Sequence, residues 1–177
     1  MPGDLLTVGH GRLGEDELAD LLTGAGVELL VDIRRLPGSR SFPHLSRDAL
    51  ADWLPASGPA YRWEERLGGR RHLPRKEPVL DTWWTVPAFR AYAAHTRTPE
   101  FRAAMADLLD EATRRTVAVM CSETVWWRCH RRLVADVAAM AHGADVRHLM
   151  PAGALRPHRP AEGARVREDG LLVWDGP

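Results

Sequence analysis

The chain has 177 residues, a size suited to one compact unit, and a hydrophobic content of 45% is enough to bury a core. Lys+Arg and Asp+Glu both number 24, so no global field draws the protein to nucleic acid or an acidic membrane, and any anion site has to be local. No run reaches the roughly 18 apolar residues of a membrane span, the first residues lack the basic start and apolar stretch of a secretory signal, and two cysteines are too few for a disulfide scaffold. The expectation is a cytoplasmic protein with free thiols and no membrane partner.

Leu5 to Gly9 is a short apolar run ending in glycine, which predicts a strand. Glu15 to Ala25 carries Leu18, Leu21, Leu22 and Ala25 at helical spacing, and Leu29 to Ile33 is the next apolar run. A strand, helix and strand in succession require a parallel, right-handed crossover if both strands share a sheet. Ser46 to Leu54 reads as a short helix. Residues Gly68 to Pro87 carry glycine, proline and five basic side chains without a period, which predicts a long loop or lid. A better helix opens at Thr98 and Pro99, a capping hydroxyl followed by proline in the first turn, with Phe101, Met105, Leu108, Leu109 and Ala112 as its buried stripe. Thr116 to Met120 reads as a strand, Arg131 to His142 as a helix stopped by Gly143, and Val146 to Leu149 as a strand. Residues 1–150 thus form one three-layer α/β domain, a mainly parallel central sheet flanked by helices in the Rossmann-like manner. The tail, residues 151–177, is rich in Pro, Arg and Gly until Leu171 to Trp174, which either adds a strand or packs on the body.

In a parallel sheet, ligands bind where strands end and loops leave for the helices. The first strand ends in Gly9-His10-Gly11, the second runs into Asp32, Arg34, Ser39 and Arg40, and the strand from Thr116 ends in Cys121-Ser122-Glu123. That last loop continues through Trp126, Trp127 and Arg128 to Cys129, His130 and Arg131, so Cys129 and His130 fall at a helix start, a position that lowers a thiol's pKa. Arg34, Arg40, Arg128 and Arg131 then supply charge-assisted hydrogen bonds to an anionic ligand. The pattern predicts an anion-binding pocket.

The stretches Thr7-Val8-Gly9-His10, Val31-Asp32-Ile33-Arg34 through Pro37-Gly38-Ser39-Arg40, Leu67-Gly68-Gly69, and Cys121-Ser122-Glu123 followed by Cys129-His130-Arg131 resemble the ordered signature of the family called domain of unknown function 488. The resemblance runs from about residue 7 to about residue 149 and leaves the tail outside. Ser122 and Trp126 stand where that family's pattern has alanine and proline. The resemblance implies an α/β fold and this same site; it implies no established activity.

Several chemistries remain open on these residues. The favoured one is cleavage or transfer of an N-glycosidic bond on a nucleotide-like substrate, with Glu123 as nucleophile or base beside Asp32, His10 and the arginines. Cys121 or Cys129 is the alternative nucleophile, with His130 or His10 as base, for sulfur or phosphate chemistry. Here Arg128 follows Cys121 by seven positions and the loop has no glycine, unlike the phosphatase arrangement it otherwise resembles. Cys121, Cys129 and His130, with His10, are a third possibility as metal ligands, although their spacing matches no standard zinc motif and no cofactor is favoured. Trp126 and Trp127 are candidates to stack a base or sugar, and His148, ending the last strand of the domain, is placed to reach the pocket edge. The basic residues Arg62, Arg66, Arg70, Arg71, Arg75 and Lys76 keep a nucleic-acid-binding module in view.

Overall fold

A computed structural model describes residues 4–177. Five parallel strands form most of the central sheet: β1 (Leu5–Gly9), β2 (Leu29–Asp32), β3 (Ala60–Trp63), β4 (Val117–Cys121) and β5 (Val146–Leu149). A sixth strand, β6 (Leu155–Pro157), joins antiparallel to β5, giving the order β3-β2-β4-β1-β5-β6. The protein is therefore a mostly parallel, three-layer α/β fold.

Alternation along the strands sends side chains to two separate cores. Leu6, Val8, Leu30, Ala118 and Met120 meet α1 (Glu15–Gly24) and α2 (Arg47–Ser57) through Leu18, Leu22, Leu50 and Leu54. Leu5, Leu29, Val31, Val117, Val119 and Cys121 face the other way, onto α3 (Pro87–His95), α4 (Pro99–Ala112) and α5 (Arg131–Asp136). At about 25 cal/mol per Å² of apolar surface removed from water, these two cores are what hold the sheet flat between its helices. Ser46 and Thr98 cap α2 and α4 by accepting from Ala49 N and Phe101 N.

The layering locates the crevice. Chain leaving β1 passes to α1 on one face, whereas chain leaving the adjacent β4 passes to α5 on the other, with Gly9 and Cys121 side by side in register. The two exits diverge, and the gap between them opens at the strands' C-terminal ends, as at a topological switch point.

Four departures from the sequence expectations have physical reasons. β3 is a half-buried edge strand containing Arg62, so it has no apolar run to announce it. The long loop gives way at its end to α3, whose buried residues include the small Ala91 and Ala93 rather than a leucine stripe. The expected helix to His142 is α-helical only to Asp136 and continues as a π-helical turn over Val137–Ala141. In the tail, β8 (Leu172–Trp174) pairs with β7 (Ala164–Val166) in a separate hairpin, while β6 extends the main sheet. Among the described residues no helix is long and apolar enough to cross a membrane.

Candidate active site

A cleft of about 460 Å³ opens over the gap between β1 and β4. His10, Arg34, Ser39, Arg40, Cys121, Cys129 and His130 line it, and Arg35, Arg70, Ser41, Phe42 and Ser122 complete its walls. Seven of the residues singled out from sequence thus meet at one cavity, from three separate loops. Glycines make the approach possible. A Cβ on Gly9 would lie 2.0 Å from the Glu123 carbonyl oxygen, so only glycine lets the β4 loop fold across the end of β1. A Cβ on Gly68 would lie 2.8 Å from Arg35 Cα and one on Gly69 3.0 Å from His130 Nδ1, which are the packing reasons for the paired glycines.

The floor is made of sulfur. Cys129 Sγ and Cys121 Sγ are 2.7 Å apart, both thiols are free and buried, and the Arg131 backbone N–H lies 3.5 Å from Cys129 Sγ. Burial opposes ionisation of both thiols. At Cys121 it is outweighed by the hydrogen bond from the Cys129 thiol, the Arg131 guanidinium and a backbone hydrogen bond at Glu123, which together lower the Cys121 pKa below its ordinary value. Cys129 is pushed well above its ordinary value by burial and by the neighbouring Cys121 sulfur. The sequence expectation placed the lowered pKa on Cys129 through the dipole of a helix. The α-helical stretch after it spans only six residues, and the charge that acts on the thiols is the Arg131 side chain.

Arg131 was expected to bind the substrate anion and instead lies inside the protein, 1% exposed, beneath the thiols. Its Nη2 donates to the Thr124 carbonyl at 3.1 Å, and its Nε and Nη1 have no hydrogen-bond partner among the described residues. A buried guanidinium without a carboxylate is costly, and its charge favours the ionised form of Cys121.

Arg34 is the opposite case. Asp32 accepts from its Nε at 2.9 Å, from its Nη2 at 2.7 Å and from its backbone N–H at 3.1 Å, and also from the Tyr61 hydroxyl at 2.6 Å. Asp32 is thereby saturated and fully buried, and its role is to hold Arg34 rather than to meet a ligand. Arg34 Nη1 in turn donates to His10 Nε2 at 3.2 Å, while His10 Nδ1–H donates to the Gly11 carbonyl at 2.9 Å. Burial lowers the His10 pKa, and Arg34 lowers it further. Both ring nitrogens are engaged, so His10 orients Arg34 and has no lone pair to spare as a base. His130 donates from Nε2 to the Ile33 carbonyl at 3.0 Å, which leaves Nδ1 as an acceptor 3.5 Å from Cys129 Sγ. Burial pushes His130 down to about 4, with Arg131 and Arg71 acting in the same direction.

Other expected site residues lie elsewhere. Glu123 is exposed and faces a neighbouring depression that it shares with Gly9, Thr124 and Pro151, and its carboxylate accepts from the Val125 backbone N–H at 3.3 Å. Trp126, half-buried, is stacked on the buried His148, with centroids 4.0 Å apart and planes 6° from parallel, and neither ring lines the cleft. Trp127 and Arg128 are exposed and line no part of the cleft. No group of three His, Cys, Asp or Glu among the described residues is arranged to hold a metal ion, since His130 gives Nε2 to a carbonyl and Cys129 turns toward Cys121. Of the basic lid, Arg62, Arg66 and Arg71 pair with Glu111, with Glu64 and Asp107, and with Glu100. Arg35 and Arg70, by contrast, reach the cleft wall, where Arg35 Nη1 donates to the Arg70 carbonyl at 2.6 Å. Arg70 was legible only as part of the basic run, and Arg35 only by its adjacency to Arg34.

Fold and site together define a parallel α/β protein with a basic cleft floored by a thiol pair. The chain belongs to the family described as domain of unknown function DUF488, whose model matches residues 15–138. That span begins after the Gly9-His10 loop and ends in the π-helical turn that follows α5. No curated protein and no solved structure matches the chain.

Proposed function

We propose that the protein is an enzyme, a transferase or hydrolase, in which the Cys121 thiolate attacks a small anionic substrate held by the arginines of the cleft. The observation that carries this reading is the stack of Arg131, Cys129 and Cys121 beneath an open cavity: a buried cation and a thiol donor both directed at one sulfur. The Cys129 S–H stabilises the thiolate by donating to it, and Arg131 balances its charge, so that an incoming anion meets a neutral floor rather than a repelling one.

Arg34 presents a guanidinium already fixed by Asp32, which spares the entropy of ordering it when the anion arrives. Arg40 and Arg70, both exposed at the rim, draw the anion in. The thiolate then bonds to the electrophilic atom of the substrate, the leaving group departs with its electron pair, and a covalent adduct remains on Cys121 Sγ.

The glycosidic reading loses its support, because Glu123 faces solvent outside this cleft and Asp32 has no free oxygen lone pair directed into it. A nucleotide-like substrate loses the tryptophan stack expected for its base, and Phe42 is the aromatic wall that the cleft offers. Neutrality of the chain and the ion pairs of Arg62, Arg66 and Arg71 likewise argue for a small anion over nucleic acid.

Alkylation with iodoacetamide, followed by peptide mapping across pH, tests the reading. Cys121 is expected to be labelled at pH values below those at which a free thiol reacts, with Cys129 lagging, and inorganic phosphate is expected to slow the labelling. Labelling of Cys121 only in the range of an ordinary thiol would overturn it.

A further inference from the structure

An activated nucleophile requires one sulfur, and this cleft has two in contact. Cys121 Sγ and Cys129 Sγ stand 2.7 Å apart, against about 2.05 Å for a formed sulfur–sulfur bond. Both line the same cavity, so a group bonded to Cys121 is within reach of the second thiol before bulk water arrives. A phosphoryl or acyl adduct gains nothing from that neighbour. A sulfur adduct does, because a thiolate displaces a thiolate from a disulfide.

Resting on the reading of Cys121 as nucleophile, we propose that Cys129 is the resolving thiol and that the substrate is a small anionic disulfide, reduced as Cys121 and Cys129 close into a disulfide of their own. The Cys121 thiolate attacks one sulfur of the substrate R–S–S–R′. A mixed disulfide Cys121–S–S–R forms, the substrate's S–S bond breaks, and R′–S⁻ leaves with the electron pair. Cys129 gives up its proton to that departing thiolate and attacks Cys121 Sγ, expelling R–S⁻. Two electrons have then passed from the protein dithiol to the substrate, and the protein disulfide returns to the dithiol by exchange with a dithiol reductant acting as second substrate.

The charges favour the handover. In the resting pair burial and the Cys121 sulfur together keep Cys129 protonated. Once Cys121 is a neutral mixed disulfide the second of these influences is gone, while Arg131 remains beneath both sulfurs and favours the next thiolate. His130 Nδ1, 3.5 Å from Cys129 Sγ, is a local acceptor for the proton in transit. The anionic character of the substrate follows from the walls, where Arg34, Arg35, Arg40 and Arg70 all reach the cavity and no carboxylate does.

The test uses the reduced full chain with dithiobis(nitrobenzoate), an anionic disulfide, beside cystamine, a cationic one. Wild-type protein is expected to release both halves of the nitrobenzoate reagent and to finish with Cys121 linked to Cys129 in non-reducing peptide maps. Cys129→Ser, which keeps a hydrogen-bond donor next to Cys121, is expected to release one half and retain the other on Cys121. Cys129→Ala provides the same readout if the serine variant folds poorly. With each rate divided by that of free glutathione with the same reagent, which removes the difference in leaving group, cystamine is expected to react on the order of tenfold or more slowly, the range that electrostatic steering spans. Wild-type protein that keeps the adduct on Cys121 without forming the internal disulfide overturns the resolving role and leaves the nucleophile intact. Equal rates for the two reagents, once each is referred to free glutathione, overturn the substrate class. A Cys121 inert to both reagents and to iodoacetamide overturns the reading on which the proposal rests.

Discussion

Two buried polar clusters hang from the same short helix, and they are finished to different degrees. Arg131 at the start of α5 sits under the thiols with two of its nitrogens unpartnered. Asp136, five residues on, anchors a chain in which each group has its partner. The Thr7 hydroxyl donates to His148 Nδ1 at 2.6 Å, His148 Nε2 to His158 Nδ1 at 2.9 Å, and His158 Nε2 to Asp136 Oδ1 at 2.7 Å. The Ala161 N–H and Trp174 Nε1 also donate to Asp136, at 3.2 and 2.8 Å. These partners come from β1, β5, α5 and the tail, so the satisfied cluster staples residues 158–174 onto the body of the domain. Low dielectric strengthens such a network when complete and penalises every gap in it. The complete cluster stabilises the fold; the incomplete one holds a charge that a reactive sulfur can answer.

Acid strikes both clusters and has the largest expected effect. Burial lowers His130 to about 4 and His148 to about 3, against roughly 6.5 for an unfolded histidine. Between those values the unfolded chain binds more protons than the folded one, so stability is full above about pH 6.5 and falls as the pH drops toward 4, by up to about 1.4 kcal/mol per pH unit for each histidine. Denaturant unfolding at a series of pH values measures this. A stability unchanged between about pH 7 and about pH 5 would contradict the buried, neutral assignment of both rings.

Asp136→Ala separates the clusters. It removes the acceptor of three buried donors and breaks the buried His158–Asp136 pair, for a loss of roughly 3–5 kcal/mol in denaturant unfolding. The alkylation rate of Cys121 in the folded variant is expected to stay within about twofold of wild type, since among the described residues no hydrogen bond joins Asp136 to Arg131 or to either thiol. A collapse of thiol reactivity in a folded Asp136 variant would show the two clusters to be one unit. The smallest effect is expected from Glu123→Gln: an exposed carboxylate outside the cleft leaves both stability and Cys121 labelling near wild type, within about 0.5 kcal/mol for the former. A large loss of labelling would return that carboxylate to the site.

The frame of the molecule was legible because apolar runs and helical stripes report burial. Leu5 to Gly9, Leu29 to Asp32, Val117 to Cys121 and Val146 to Leu149 are buried strands and read as such. β3 and β6 escaped because edge strands have no need of an apolar run, and β6 is exposed throughout and ends in Pro157. Once the strand order is parallel, the loops after β1, β2 and β4 must share an edge, and this brought His10, Arg34, Ser39, Arg40, Cys121, Cys129 and His130 within reach of one cavity. Direction within the β4 loop was illegible. A segment without a period does not encode which side chains turn inward, so Glu123 and Arg128 face solvent, Trp126 covers His148, and Arg131, read as a ligand-binding cation, lies beneath the floor. The split between the thiols was equally hidden, because it depends on which sulfur receives the hydrogen bond of the other.

The central claim is that Arg131 and Cys129 together hold Cys121 as a thiolate. Ultraviolet titration of thiolate absorbance, in wild-type protein, Cys121→Ser and Arg131→Met, measures it directly. The account predicts a thiolate signal in the wild type that persists below the ordinary cysteine range near about 8.5, that is absent from Cys121→Ser, and that moves to higher pH in Arg131→Met. Titration of both cysteines at or above the ordinary value, unmoved by loss of Arg131, would contradict it.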